Sequence, residues 1–225
     1  MPKWALLVMH SFWPLLSAGV AFTVPLTLLS FAGGLVVGFL TALARLYGGK
    51  ALQRCARFYV WAIRGTPLLV QLFLIFYGLP SAGIVLDSFT AAFFGLTLNV
   101  GAYMSETMRA AITSVPKGQW EASFSIGMTW TQALRRTVMP QAARVATPPL
   151  ANTFISLVKD TSMAAALTVP EMFHAAQQIA AVTYEPLILY SEVAVIYLVF
   201  SSVLSSLQTR LERRLALHAG TEASR

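Results

Sequence analysis

The chain has 225 residues, of which 56% are hydrophobic and only 11% charged, and its mean hydropathy is +0.66. Soluble domains carry about 25% charged residues, so this composition excludes a water-soluble fold and favours a membrane protein. A single cysteine, Cys55, excludes an internal disulfide and a cysteine-based metal cluster, and three scattered histidines without ligand spacing argue against a metal site. The formal net charge of +7 does not indicate nucleic-acid binding, because the apolar bulk leaves no soluble basic face.

Five apolar segments predict an all-α membrane protein. A spanning helix needs roughly 20 apolar residues, and segments of that kind occupy residues 15–44, 59–79, 90–110, 145–167 and 187–207. The first is too long for a secretory signal and lacks its positive start and cleavage site, so it is predicted to remain a span. Residues 170–184 are more polar and predict a short helix on the outer face. Gly34 and Gly38, one turn apart in the first span, favour close helix packing within one subunit over a dimer contact.

The basic residues predict the orientation of these spans. Lys and Arg cluster at residues 45–64, 109–144 and 210–214, after the first, third and fifth spans. Because the cytoplasmic ends of spans carry an excess of Lys and Arg, all three clusters are expected on the cytoplasmic side. The N-terminus then lies outside and the C-terminus in the cytoplasm. Residues 1–218 are predicted to form a single transmembrane domain, and residues 219–225 a disordered tail.

The interval between the third and fourth spans, about residues 114–144, is the longest polar interval in the chain and is expected in the cytoplasm. It contains two segments that favour short helices, at residues 118–126 and 131–138. Gly127 lies between them and permits a sharp bend. Thr129 or Thr131 is a suitable cap for the second helix, and Pro140 is expected to end it. A short protruding pair of helices buries little surface of its own, so it is suited to docking on a partner.

The residues of this loop resemble those of a known family. Glu121 and Ala122, followed by Gly127 and Pro140, are similar to the EAA loop of binding-protein-dependent ABC importer permeases. Three positions depart mildly from the second alanine, the isoleucine and the leucine of the family pattern, namely Ser123, Thr137 and Met139. In that family the loop forms a coupling helix that sits in a groove of the cytoplasmic ATPase. The resemblance therefore implies an ATPase-coupling site, which comprises Glu121, Ala122, Ser123, Gly127 and Pro140.

The resemblance extends over nearly the whole chain. Four stretches are similar to the polar amino acid branch of the family, namely RGTPLLVQLF (64–73), AYMSETMRAAI (102–112), KGQWEA (117–122) and FISLVKDTS (154–162). Within that branch the chain is most similar to permeases for cystine and related sulfur amino acids. The resemblance implies the type I ABC importer permease fold, with five transmembrane helices in the cell inner membrane.

The same resemblance implies a set of partners. A complex would contain two ATPase subunits, which bind ATP and Mg²⁺, and a second copy of the permease, with a homodimer favoured over a paralogue. An extracytoplasmic solute-binding protein would supply a small polar amino acid, and membrane lipid would surround the spans. One chain of five spans is also too small to enclose a pathway alone.

The chain itself shows no catalytic site. A phosphate-binding loop ends in Gly-Lys-Ser or Gly-Lys-Thr, but Gly49 and Lys50 are followed by Ala51, and Ala44 stands where the first glycine should be. A translocation subunit without enzymatic activity is therefore predicted. The alternative is a secondary transporter or channel that works without ATP, although such transporters commonly contain internal repeats and none is visible here.

Charged and polar residues within the spans are candidates for a substrate pathway. Five positions are of this kind, namely Arg64, Gln71, Glu106, Lys159 and Asp160. Arg64 is expected to extend towards the cytoplasm beside a kink at Gly65 and Pro67, and Glu106 is spaced to pair with Arg109. The adjacent Lys159 and Asp160 point about 100° apart, so each needs another partner. They either hold the carboxylate and ammonium of an amino acid or belong to an inter-helix network that keeps the pore shut.

Overall fold

The computed structural model describes residues 2–223, with side chains described as far as Arg210. Every regular element in this part of the chain is helical, which confirms the predicted all-α class. The α-helices are α1 (Lys3–Ala18), α2 (Val24–Tyr47), α3 (Lys50–Arg64), α4 (Leu68–Phe73), α5 (Ser88–Ser114), α6 (Lys117–Ser125), α7 (Trp130–Ala133), α8 (Met139–Asp160), α9 (Met172–Thr183) and α10 (Pro186–Ala223). The predicted tail at residues 219–225 extends beyond the described residues and stays a prediction.

In the part of the chain that the structure describes, two segments are long and apolar enough to cross a membrane, namely Lys3–Tyr47 and Pro186–Arg210. The first is one helical segment in which α1 and α2 join through a π-helical turn, so it starts well before the predicted boundary at residue 15. α3 and the helical segment from Leu68 to Ala82 would add a third span if they are counted together. The total of five spans and their orientation therefore stay predictions. α5 and α8 cover most of the third and fourth predicted spans, respectively.

The second predicted span is not a continuous helix. α3 ends at Arg64, α4 begins at Leu68, and the two segments are bent by 109°. Pro67 explains the break, because proline lacks a backbone N–H and disfavours helical geometry at the residue before it. The kink expected at Gly65 and Pro67 is confirmed, and the predicted span at residues 59–79 is bent there. That these residues cross the membrane as one span stays a prediction.

Three π-helical turns share a cause that can be read from the sequence. They cover Gly19–Thr23, Leu74–Gly78 and Leu134–Val138, and each ends two residues before a proline, at Pro25, Pro80 and Pro140. The proline ring would clash with the carbonyl four residues earlier in a regular α-helix, and a widened turn relieves that clash. The expectation that Pro140 ends the second loop helix is therefore wrong, because the chain stays helical through the widened turn into α8.

The fourth predicted span also changes geometry. α8 ends at Asp160, and a 3₁₀-helix from Thr161 to Leu167 follows it. The Thr161 and Ser162 hydroxyls donate to the carbonyls of Val158 and Lys159, each at 2.7 Å. Side-chain bonds of this kind compete with the α-helical backbone pattern. The predicted short helix at residues 170–184 is confirmed as α9, which Glu171 caps by accepting from the backbone N–H of His174 at 2.7 Å.

α2 and α5 pack closely through glycine. A Cβ added at Gly34 would lie 2.4 Å from Cγ1 of Val100, and one added at Gly38 would lie 2.9 Å from Cβ of Met104. Both partners belong to the same chain, which confirms packing within one subunit. Residues from α2, α4, α5, α8 and the 3₁₀-helix complete this core, including Leu26, Leu72, Leu96, Leu157 and Leu167.

Candidate functional site

The loop between α5 and α8 has the two-helix form expected from the sequence. α6 and α7 are separated by Gly127, whose φ of +80° is a left-handed conformation that favours glycine. Thr129 rather than Thr131 caps α7. Its hydroxyl accepts from the N–H of Gln132, and the Gln132 side chain accepts from the N–H of Thr129. The bend is therefore set locally, by one glycine and one capping box.

The three residues of the EAA-type segment have different environments. Ser123 is only 3% exposed, and its hydroxyl lies 2.9 Å from Oγ1 of Thr137. The small side chain thus lets α6 approach the widened turn that leads into α8. Glu121 and Ala122 are exposed, and within the described residues no hydrogen bond or ion pair engages the Glu121 carboxylate. Ser123 packs inside the loop, whereas Glu121 and Ala122 are accessible to a partner.

Aromatic residues fix this loop to the bundle. Trp130 contacts Tyr47 at the end of α2, with ring centroids 4.7 Å apart, and stacks on Trp120 at 6.2 Å. Beside them Phe124 and Ile126 are exposed, Ile126 to 74%. These two side chains give the polar loop an apolar exposed surface. The sequence reasoning did not single out these side chains, although their concentration in a polar interval was visible.

Glu106 is the centre of an ion cluster. Its carboxylate accepts from Arg45 at the end of α2 and from Nη2 of Arg109 at 2.9 Å, while Nη1 of Arg64 lies 3.9 Å away. The predicted Glu106–Arg109 pair is confirmed, and Arg45 was missed because it lies in another helix. The Arg64 guanidinium also lies 5.2 Å from the ring centroid of Tyr103. In this arrangement Glu106 and Arg64 contact each other and do not line the polar cavity described below.

Gln71 stabilises the break between α3 and α4. It is 6% exposed, and its amide nitrogen donates to the Ile63 carbonyl at 2.7 Å and contacts both oxygens of Thr66 at 2.9 and 3.0 Å. Its amide oxygen accepts from Nδ2 of Asn99 at 2.9 Å. Gln71 therefore replaces helical hydrogen bonds lost at the bend. It also positions Thr66 and Asn99, which line the polar cavity described next.

A cavity of about 490 Å³ lies between the bend, α5 and α8. Asp160 is part of its wall, and Lys159 is exposed outside it. Among the described residues, no hydrogen bond or ion pair within 4.0 Å engages either charged group. The other polar wall residues, which sequence reasoning did not single out, are Thr66, Asn99, Asn152, Thr153 and Ser156. Their signal was the presence of amides and hydroxyls within otherwise apolar spans.

A bundle with interrupted helices, a polar cavity and a protruding two-helix loop has the features of a membrane translocation subunit, because irregular backbone at membrane depth occurs where it lines a cavity.

Comparison with known proteins defines the family. Residues 34–217 match the family described as binding-protein-dependent transport system inner membrane component. The chain is 52% identical over 210 residues to the L-cystine transport system permease protein TcyB of Bacillus subtilis (strain 168), covering 93% of this chain and 90% of that protein. It is 39% identical over 206 residues to the glutamine transport system permease protein GlnP of Escherichia coli (strain K12), covering 91% and 94%.

Solved structures agree. A crystal structure of an amino acid ABC transporter with histidines matches with a TM-score of 0.87 and 34% identity, covering 95% of this chain and 99% of that one. An inward-facing structure of the MetNI methionine ABC transporter shares the fold, with a TM-score of 0.69 and 22% identity over 96% and 99%.

The chain therefore belongs to the binding-protein-dependent transport system inner membrane component family. It is an ABC transporter permease with the type I fold, a multi-pass inner-membrane protein and a translocation subunit, not an enzyme. The alternative of a transporter or channel outside the ABC class is wrong.

Proposed function

We propose that this permease imports a polar amino acid, with cystine or a related sulfur amino acid as the substrate. The observation that carries the proposal is the carboxylate of Asp160 on the wall of a polar cavity, without a partner among the described residues. The 52% identity to a permease named for L-cystine, against 39% to one named for glutamine, supports the sulfur amino acid.

The cavity offers groups for both ends of a zwitterion. The Asp160 carboxylate would accept hydrogen bonds from an α-ammonium group, and charge-assisted bonds of this type are the strong ones. The Asn99 amide, which has a second N–H besides the one it donates to Gln71, and the Ser156 hydroxyl are donors suited to an α-carboxylate. Arg64 and Glu106 do not line the cavity, and Glu106 is engaged by Arg45 and Arg109, so these two residues would shape its boundary rather than hold the substrate.

Transport would be driven from the loop between α5 and α8. We infer that Glu121, Ala122 and the exposed Phe124 and Ile126 dock on an ATPase subunit, while Gly127 sets the angle between the docking helices. ATP and Mg²⁺ would be bound by two such subunits, and a solute-binding protein would deliver the substrate on the opposite side, as the family implies.

A second copy of the permease would complete the pathway. Tyr103 and Met163 line the cavity and are also exposed, so the cavity opens on the surface of one subunit. Lys159 is exposed beside it and would face the second copy or the substrate there. A homodimer predicts that differently tagged copies of this one chain co-purify in the assembled transporter.

The test uses the reconstituted transporter and the variants Asp160→Asn and Lys159→Met. The control is Asp87→Asn, which also removes a carboxylate but from an exposed helix cap. Loss of a charge-assisted hydrogen bond is worth about 1.5–3 kcal/mol, so Asp160→Asn should weaken uptake of labelled cystine roughly 10- to 150-fold. Asp87→Asn should change it little.

Uptake and ATP hydrolysis, measured in the same vesicles, distinguish substrate binding from a gating role for Asp160 and Lys159. If the pair holds the pore shut, substitution should raise ATP hydrolysis in the absence of substrate while uptake continues. That outcome would assign Asp160 to a gate and refute substrate binding there. If uptake of glutamine or arginine exceeds that of cystine and all depend on Asp160, the site stands but the sulfur amino acid is wrong.

A further inference from the structure

A second, basic pocket shares one wall residue, Tyr103, with the cavity. It has a volume of about 440 Å³ and lies between α3, the end of α2 and α5. Its charged lining consists of three arginines and one carboxylate, namely Arg45, Arg57, Arg64 and Glu106. Trp61, Val60 and Gly65 complete the wall together with Tyr103.

The charges of this pocket do not balance. Glu106 accepts from Arg45 and Arg109, and Arg64 is at the limit of an ion pair at 3.9 Å. Arg57 is exposed, and within the described residues it has no carboxylate partner within 4.0 Å. The pocket is therefore lined by three guanidinium groups and only one carboxylate, and that carboxylate also pairs with a fourth arginine, Arg109. An anionic group could bind there without displacing the existing ion pairs.

α3 is oriented so that its basic stripe faces outwards. Ala56 and Val60 are buried, and the Tyr59 hydroxyl donates to the Leu98 carbonyl of α5 at 2.6 Å. The outer stripe follows helical spacing and contains Arg54, Arg57, Trp61 and Arg64. Trp61 is 71% exposed.

An exposed tryptophan among arginines is typical of a helix at the membrane–water interface. The exposed rings of Phe58 and Trp61 lie beside each other, with centroids 5.7 Å apart. They offer apolar surface for acyl chains next to the charged pocket. A soluble anion would use the arginines alone, whereas a lipid would use both the arginines and this apolar surface.

We propose that this pocket binds the phosphate headgroup of an anionic phospholipid, with the acyl chains along Phe58 and Trp61. Guanidinium groups suit phosphate because they donate in a planar fork, and basic pockets between membrane helices recognise anionic headgroups. The contact would fix α3, and with it the bend beside the substrate cavity, to the lipid surface.

The experiment uses the detergent-purified permease–ATPase complex and native mass spectrometry with added phosphatidylglycerol or phosphatidylcholine. Arg57→Gln removes one pocket arginine, and the matched control, Arg54→Gln, removes the same charge from the same helix outside the pocket. Arg57→Gln should lower the affinity for phosphatidylglycerol about tenfold or more, the effect typical of losing one hydrogen bond between charged groups. Arg54→Gln and all phosphatidylcholine measurements should change much less.

Three outcomes would overturn the proposal. Equal losses in the two variants would mean a diffuse attraction to the helix, and no loss in Arg57→Gln would mean that the pocket is not used. Competition by inorganic phosphate that is as strong as competition by phosphatidylglycerol would identify a soluble anion as the ligand. Release of the ATPase by Arg57→Gln, with lipid binding unchanged, would assign the arginines to that partner.

Discussion

Gly127 allows the coupling role of the loop to be tested without disturbing packing. Its φ is +80°, yet a Cβ added there would meet no atom within 4 Å. Substitution by alanine therefore adds backbone strain alone, which is about 1–2 kcal/mol for a residue held in the left-handed region. If only the observed bend docks on the ATPase, that energy weakens docking about fivefold to thirtyfold. Valine, which is β-branched, should weaken it more.

The assay measures binding of the purified ATPase subunit to the permease in nanodiscs, together with substrate-stimulated ATP hydrolysis. Gly118→Ala is a matched control, since Gly118 also has open space around a Cβ but has no positive φ. Gly127→Asn is a second control, because asparagine tolerates the left-handed conformation. We expect both controls to bind within about threefold of the parent.

Membrane abundance should be normal in every variant, since the loop lies outside the predicted spans. Full docking by Gly127→Ala, or equal losses in Gly127→Ala and Gly118→Ala, would refute the role assigned to the bend.

Three further predictions concern the fold. Gln71→Leu should leave buried partners unsatisfied, at about 1–3 kcal/mol, and lower the thermal unfolding midpoint of the purified protein; an unchanged midpoint would contradict its bridging role. Gly34→Ala should overpack the α2–α5 contact, lower the stability by about 1–3 kcal/mol and so lower the unfolding midpoint. Adding Val100→Ala should restore part of that loss. If the losses of the two substitutions simply add, these residues do not clash. In a cysteine-free background, a cysteine at Asp87 should react with an impermeant reagent added outside sealed cells and one at Gln132 should not, and the reverse would overturn the orientation.

Sequence reasoning succeeded where the determinant is local. The two helices of the loop between α5 and α8 and their bend depend on Gly127 and a threonine cap, which are neighbours in sequence of the helices they orient. The Glu106–Arg109 pair follows from helical spacing alone. In each case the interacting groups lie within a few residues, so periodicity and residue type were sufficient.

The determinants that sequence reasoning missed join distant parts of the chain. Arg45 reaches Glu106 from another helix, and Asn99 meets Gln71 across the bend. The break at Pro67 could be expected as a kink. Its angle could not, because it depends on the hydrogen bonds that the Gln71 side chain makes across the break. Pro140 was mispredicted for a different reason. The rule that proline ends an α-helix holds for regular helices, whereas here a π-helical turn before Pro140 lets the helix continue. The cavity around Asp160 required three elements to be placed together.

The glycine contacts of α2 also have a consequence for the order of assembly. Lipid tails are as apolar as leucine, so helices in a bilayer associate through close packing and polar contacts rather than through water exclusion. Gly34 leaves no room for a side chain against Val100 of α5, although α3 and α4 come between these helices in the chain. During synthesis α2 can therefore make this contact only after α5 has been made. Until then α4, which packs against α5, lacks part of the surface on which it folds back, and the polar cavity lacks the wall that α5 provides.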